Sequence, residues 1–408
     1  MLRLLCPAAA REFPLITAIT ASELLTPVDR IPSPVVVMEG ETISKLGPRE
    51  AVEIPSSAIL RDFPGAILVP GFIDIHIHGS AGYDVMEGEQ KGLERMSNFL
   101  AQRSVTSFLA TTVTAEATVL LGAIERLAEQ IHNWPADGAM ATPFGIHMEG
   151  PWISKVRCGV HPTSAIENPS LEAFDRYYLA ANGYLRLITI APELPGAIEV
   201  IREAVKRGVS VSIGHTDGQL ADADAAIQAG ATHATHTFNA MRPLNHRAPG
   251  VLGRVLDSDV MTAEIIADGV HVDPVVVDLF LRCKGAERAV LVTDAISAAG
   301  MPEGKYKLGT FEVTVTGSRC EVDGKLAGSV LTLDRAVRNV VQFSGCSLGQ
   351  SVRLATANPA QVLGESSRGT LRSGVRADIA VLSPKGEVVE CFAGGTATVG
   401  KSGNRAIG

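Results

Sequence analysis

His76-Ile77-His78 puts two imidazoles two residues apart at the end of an apolar run. In a strand, residues i and i+2 face the same side, so both rings would point one way. Imidazole is the commonest protein ligand for zinc-like ions, and the pair can therefore begin a metal site. Two hydrogen-bonded core histidines would leave the same trace, so other residues must decide. Glu149 follows an apolar run in His147-Met148-Glu149-Gly150-Pro151, and His215 follows another in Ser212-Ile213-Gly214-His215. His236 lies in His233-Ala234-Thr235-His236-Thr237, and Asp294 in Leu291-Val292-Thr293-Asp294-Ala295. Six such groups at the ends of strand-like runs point to one metal centre rather than to six separate structural roles. A metal there lowers the pKa of bound water towards ~7 and polarises a carbonyl. Asp294 suits the proton shuttle between the attacking water and a leaving amine. Its structural alternative is a buried Asp paired to Arg.

The elements that must hold these groups alternate. Strand-like runs at 72–77, 107–112, 144–148, 185–190, 209–214, 233–237, 262–266 and 289–293 are bounded by Gly, Pro or charge. Several are almost wholly apolar, as expected of parallel strands covered on both faces. Helical patterns fill 90–103, 115–134, 170–182, 194–207, 219–229 and 274–283, with another at 333–344 after the last strand. Eight strands alternating with helices predict an α/β fold, a (β/α)8 TIM-type barrel whose active site lies at the C-terminal strand ends. A doubly wound open sheet is the competitor, but no GxGxxG turn follows any strand. The flanks carry short β-like runs broken by Pro and Gly, and neither could bury a core alone. They are expected to pair into a small β-sandwich domain, 1–68 with 369–408, beside a barrel at 69–368.

The chain has 408 residues and a formal net charge of −8, which speaks against nucleic-acid or anionic-membrane partners. An anionic substrate must then be met by a few placed side chains. Cys6, Cys158, Cys283, Cys320, Cys346 and Cys391 are scattered without a CxxC pair, as in a reducing cytoplasm. Residues 1–10 lack the apolar run of a secretion signal, and no stretch approaches the ~20 apolar residues of a membrane span.

The motifs together resemble the N-acetylglucosamine-6-phosphate deacetylases of the amidohydrolase superfamily, from about Val69 to the C-terminus. The likeness rests on 70–79 (PGFIDIHIHG), 147–152 (HMEGPW), 191–193 (APE), 236–241 (HTFNAM), 267–271 (ADGVH), 292–295 (VTDA) and 326–329 (LAGS). The first is common to the superfamily; HMEGP, HTFNAM and ADGVH are more specific. The resemblance implies that Glu149, His215 and His236 bind the catalytic divalent metal and that Asp294 is the acid/base. His76 and His78 match a position that keeps both histidines in some relatives only, which makes a second metal bridged by Glu149 an expectation. Zinc leads, with iron, cobalt and manganese as other candidates, one or two ions per chain. The resemblance further places Val160 and His161 against the acetamide. Asn239, Ala240, Arg247, Asp268 and His271 would hold the hydroxyls and 6-phosphate, and the Leu326-Ala327-Gly328 backbone would line the sugar pocket. In relatives the phosphate-binding arginine can act across a subunit interface, which implies a homodimer or higher homo-oligomer, with Arg247 serving its own or a neighbouring subunit. The first sixty residues match only loosely, and Cys158 stands near the site where basic residues often precede the glycine.

The implied reaction is hydrolysis of the acetamide of N-acetylglucosamine 6-phosphate. A deaminase or cyclic amidase on the same barrel is the alternative. Cyclic amidases bridge two metals with a carboxylated lysine from strand four, and Thr189-Ile190-Ala191-Pro192-Glu193 has none. A non-catalytic scaffold would have lost ligands that this chain keeps.

Overall fold

The computed structural model describes residues 15–27, 29–135 and 139–398. Cys6, the 1–10 segment and the outer ends of the expected terminal domain lie outside the described residues.

Six parallel strands run in sequence order across one sheet: β1 (Phe72–Ile77), β2 (Val105–Thr112), β3 (Thr142–Glu149), β4 (Leu185–Ile190), β5 (Ser210–Ile213) and β6 (His233–Ala234). A parallel pair, β7 (Ala263–Ile265) and β8 (Ala289–Leu291), follows. Hydrogen bonds join the pair to both edges of the larger sheet. Ala234 N–H donates to Thr262 O and Thr237 N–H to Glu264 O at the β6 edge, and Asp294 N–H donates to His76 O at the β1 edge. This is the arrangement of a TIM-type barrel. Every residue of β1 and β2 is buried, because sheet contacts cover one face and helices the other.

Helices α1 (Gln90–Ala101), α2 (Ala117–His132), α3 (Leu171–Ala180), α4 (Ala197–Lys206), α5 (Leu220–Ala229), α6 (Gly250–Asp257), α7 (Pro274–Arg288) and α8 (Leu333–Ser344) alternate with the strands. In α4, Ala197, Val200, Ile201 and Ala204 are buried, a spacing that makes one apolar stripe. Helix α6 was not among the expected helices: at eight residues it is too short to show a repeating stripe. Helix α7 runs beyond the expected 283 to Arg288, with non-helical backbone at Gly285. No helix among the described residues is long and apolar enough to cross a membrane.

Strands from both flanks share one eight-stranded sheet, in which Ile379–Leu382 pairs antiparallel with Ile59–Pro70. Ile19, Val36, Leu68, Ile379 and Phe392 are buried in its core. A second departure from the expected pattern lies between β8 and α8. Residues 304–326 form four antiparallel strands, Gly304–Leu308, Phe311–Thr316, Arg319–Val322 and Lys325–Leu326. Their alternation buries Leu308, Val313, Val315 and Cys320 against Val113, Ile296 and Ala327 at the mouth of the barrel.

Candidate metal centre and active site

Each expected ligand sits where a barrel strand gives way to its loop. His76 lies in β1 and His78 follows it, Glu149 ends β3, and His215, His236 and Asp294 follow β5, β6 and β8. His215, His236 and Asp294 have φ of 47°, 23° and 48°, values that non-glycine residues seldom take. Phe238 and Ala240, also in the β6 loop, share the sign at 79° and 52°. Such backbone costs about 1–3 kcal/mol per residue and collects at functional sites. It also explains why β6 and β8 stop short of the expected runs: the chain leaves strand geometry to turn these side chains inward.

Three of the imidazoles are held with the proton on the outer nitrogen. His76 Nδ1–H donates to Glu264 Oε2 at 2.9 Å, His78 Nδ1–H to Thr111 O at 3.0 Å, and His215 Nδ1–H to Arg157 O at 2.9 Å. Their Nε2 atoms therefore face inward, towards carboxylates. His215 Nε2 lies 3.1 Å from Glu149 Oε1 and 3.0 Å from His236 Nε2, which is itself 3.0 Å from the same oxygen. His78 Nε2 lies 3.2 Å from Glu149 Oε2 and 3.1 Å from Asp294 Oδ1. His76 Nε2 is buried without a hydrogen-bond partner. The cluster calls for positive charge: against the effect of burial, the carboxylates raise His76 well above the usual imidazole range and His78 to about 9, so a cation, proton or metal, is favoured among these groups. The donors form two groups, Glu149/His215/His236 and His76/His78/Asp294, each with its ligand atoms within 4.8 Å of one another. Nitrogen and carboxylate donors in this number fit a divalent metal. Glu149 touches both groups: Oε1 meets His215, His236 and, at 3.4 Å, His76, and Oε2 meets His78.

Burial opposes the charge on Glu149, but His76, His161, His215 and His236 prevail and hold its carboxyl well below the usual range. Asp294 is treated alike: burial works against its charge, and His76 and His78 bring its pKa down. Burial pushes His215 down to about 4. His147, also on β3, is pushed well down by burial and stays a neutral core histidine against Thr189 Oγ1 at 2.8 Å.

Beneath the ligands lies a group that sequence reasoning missed. Glu264 of β7 is fully buried. Its Oε2 accepts from His76 Nδ1 and from the His236 backbone N–H, both at 2.9 Å, and its Oε1 meets His233 Nε2 at 3.2 Å. Its only sequence signal was an acidic residue inside an apolar run.

Above the ligands opens a cavity of about 150 Å³. His78, Glu149, His215, His236 and Asp294 line it together with Val160, His161, Asn239, Ala240, His271, Leu326, Ala327 and Gly328. His161 Nδ1 accepts from Thr114 N–H at 3.3 Å and meets Thr114 Oγ1 at 2.8 Å, so its ring proton sits on Nε2. Asp268 stands behind the cavity and holds His271 Nδ1 at 2.7 Å. Glu193 accepts from Thr216 Oγ1 and Asp217 N–H, bracing the turn after His215. Arg247 does not join this group: it is exposed on the loop after Arg242, outside the residues that line the cavity. Cys158 is half-buried and also lies off the lining, though its neighbour Gly159 is on it. Val113 and Leu308, which complete the wall, were not singled out by type or spacing.

Residues 67–398 match the model of the amidohydrolase family. An N-acetylglucosamine-6-phosphate deacetylase of Lysinibacillus sphaericus is 39% identical over 320 residues, 78% of this chain and 82% of that protein. The chain belongs to the N-acetylglucosamine-6-phosphate deacetylase family of amidohydrolases. A family neighbour named N-acetylgalactosamine-6-phosphate deacetylase, from Escherichia coli O157:H7, is 36% identical over 81% of this chain and 86% of its own. Among solved structures, a variant of the Mycobacterium smegmatis deacetylase in complex with N-acetyl-D-glucosamine 6-phosphate superposes with a TM-score of 0.88. It is 33% identical, over 94% of this chain and all of that one.

Proposed function

We propose that this protein hydrolyses the acetamide of N-acetyl-D-glucosamine 6-phosphate to D-glucosamine 6-phosphate and acetate, in amino-sugar catabolism. The observation that carries the reading is Glu149 standing between two imidazole-rich donor groups, with Asp294 in one of them and the His161 ring 3.5 Å from its Oε2. The relatives named above supply the substrate class.

Glu149, His215 and His236 would hold a divalent ion, which would supply Lewis acidity and make a water more acidic. His76 and His78, beside Asp294, would hold a second, and zinc is the ion we favour. The ionised Asp294 takes one proton from water as its oxygen bonds to the acyl carbon. His161, with its proton on Nε2, donates to the acyl oxygen as negative charge develops there. Asp294 then returns the proton to the sugar nitrogen as the C–N bond breaks, and the second proton of the water passes from the acid to the amine, leaving acetate and the ammonium form of the sugar. Asn239, His271 and the 326–328 backbone orient the sugar. Arg247, exposed in its own subunit, reads the 6-phosphate from a neighbouring one, in a cytoplasmic homodimer. The same reading takes 69–368 as a (β/α)8 barrel and 1–68 with 369–408 as a β-sandwich domain.

Acetate release from a panel of N-acetyl sugars, with and without 6-phosphate, tests this together with elemental analysis. N-acetylglucosamine 6-phosphate should lead the panel, with at least one divalent ion per chain. Ammonia released from a nucleobase, without acetate from any sugar, would replace this reading with a deaminase.

A further inference from the structure

The cavity has two chemically different walls. Asn239, His271 and the 326–328 backbone make one of them polar. Val113 and Leu308, each 4% exposed, make another apolar, in the cluster by which the 304–326 insertion packs onto the barrel mouth. A phosphorylated N-acyl hexosamine carries hydroxyls, ring oxygen or phosphate on every side except the alkyl end of its acyl group. That end gains by leaving water, and the rest loses unless it is hydrogen-bonded. The acyl methyl therefore seats on the Val113–Leu308 wall. Connectivity agrees. Val113 immediately precedes Thr114, which holds the His161 ring that meets the acyl oxygen.

Val113 also lines a second pocket of about 140 Å³, open to solvent on one side and bordered by Met86, Glu87, Ala115, Val119, Lys307 and Thr310. A water-sized group needs roughly 10–15 Å³ of such volume, so several methylenes would fit. Val113 has little freedom to swing aside. A Cβ placed on Gly309 would stand 2.6 Å from Val113 Cγ2, so the insertion backbone passes close to it with no room for a side chain between them. Its branched side chain also has few χ1 choices.

We infer that Val113, backed by Leu308, is the gate that limits the acyl group to acetyl. The second pocket is room for a longer straight N-acyl chain, closed off by one side chain. The inference rests on the deacetylase reading above.

The test compares the wild type, Val113→Ala and Leu308→Ala on the N-acetyl, N-propanoyl and N-butanoyl forms of glucosamine 6-phosphate. One methylene in an apolar pocket is worth about 10–200-fold in kcat/KM. The butanoyl-to-acetyl ratio should therefore rise at least about tenfold in Val113→Ala, with a smaller rise in Leu308→Ala. Ratios within twofold of wild type in both variants, with acetate still released from the acetyl substrate, overturn the gate alone. A wild type that already takes the butanoyl substrate as well as the acetyl one overturns it too. No acetate from wild type overturns the deacetylase reading and the gate with it. Because the readout is a ratio within each protein, partial loss of folded material in one variant does not mimic the effect.

Discussion

Glu264 and His76 are joined by a 2.9 Å hydrogen bond from the imidazole Nδ1–H to the carboxylate, with both side chains fully buried. Burial opposes the Glu264 charge, yet His76 and His233 hold its carboxyl well below the usual range. An ionised carboxylate behind a ligand imidazole fixes the ring and makes it more basic. Glu264→Gln should weaken metal binding at the His76/His78/Asp294 group about 10–100-fold. Occupancy at Glu149/His215/His236 should change less. Metal titration followed by elemental analysis reads this, and unchanged stoichiometry and affinity would remove Glu264 from the role.

Asp294 approaches His78 Nε2 at 3.1 Å and His76 Nε2 at 3.6 Å, but it is not a member of the Glu149/His215/His236 group. Asp294→Asn should keep the ion of that group and lower kcat about 10²–10⁴-fold. Steady-state kinetics beside metal analysis decides it. Turnover near wild type would sink the proton-shuttle role.

Thr114 supplies both contacts to His161 Nδ1, and Thr114→Val removes only the hydroxyl. The loss of one hydrogen bond of about 0.5–1.5 kcal/mol predicts a fall in kcat of about 2–10-fold, with metal content unchanged. Nitrogen-15 NMR of the labelled imidazole checks the cause. A wild-type His161 protonated on Nδ1 alone would contradict the assignment.

Arg247 tests the phosphate side. Arg247→Ala should raise KM for the 6-phosphate substrate about 10–100-fold, the worth of charge-assisted hydrogen bonds of about 1.5–3 kcal/mol. The effect on unphosphorylated N-acetylglucosamine should be small. Equal effects on the two substrates would show that Arg247 does not read the phosphate.

Lys284 of α7 is buried and donates to Val255 O at 2.8 Å and Ser258 O at 2.7 Å, at the end of α6. Burial brings its pKa from 10.5 down to about 8. Between those values the unfolded chain holds a proton that the folded protein has released, so stability rises with pH. The neutral amine still has two N–H groups for the two carbonyls. Relative to Lys284→Met, the wild type should gain unfolding free energy from about pH 8 to 10.5 and show no pH-dependent difference below about pH 7. Urea unfolding of both proteins across that range measures it, and a falling difference would contradict the sign.

Much of this site was legible in the chain. Parallel strands covered on both faces must be apolar along their length, so a polar group at a strand's end stands out. That is how His76, His78, Glu149, His215, His236 and Asp294 could be gathered without coordinates. Strand limits were less legible. His233–Ala234 is only two residues long because the chain turns to positive φ at His236, and side-chain pattern does not report φ.

Which atoms meet depends on the closed fold. Glu264 lies 188 residues from His76 in the chain, and its hydrogen bond exists because β7 comes round to the histidines of β1 and β6. The 304–326 insertion alternates like any exposed hairpin, and only its packing made Leu308 and Val113 a wall of the cavity. Residue type and spacing determined the chemistry, since a ligand atom's identity is local. Tautomers, the shared position of Glu149 and the shape of the acyl wall depend on non-local contacts, and those come only with the closed fold.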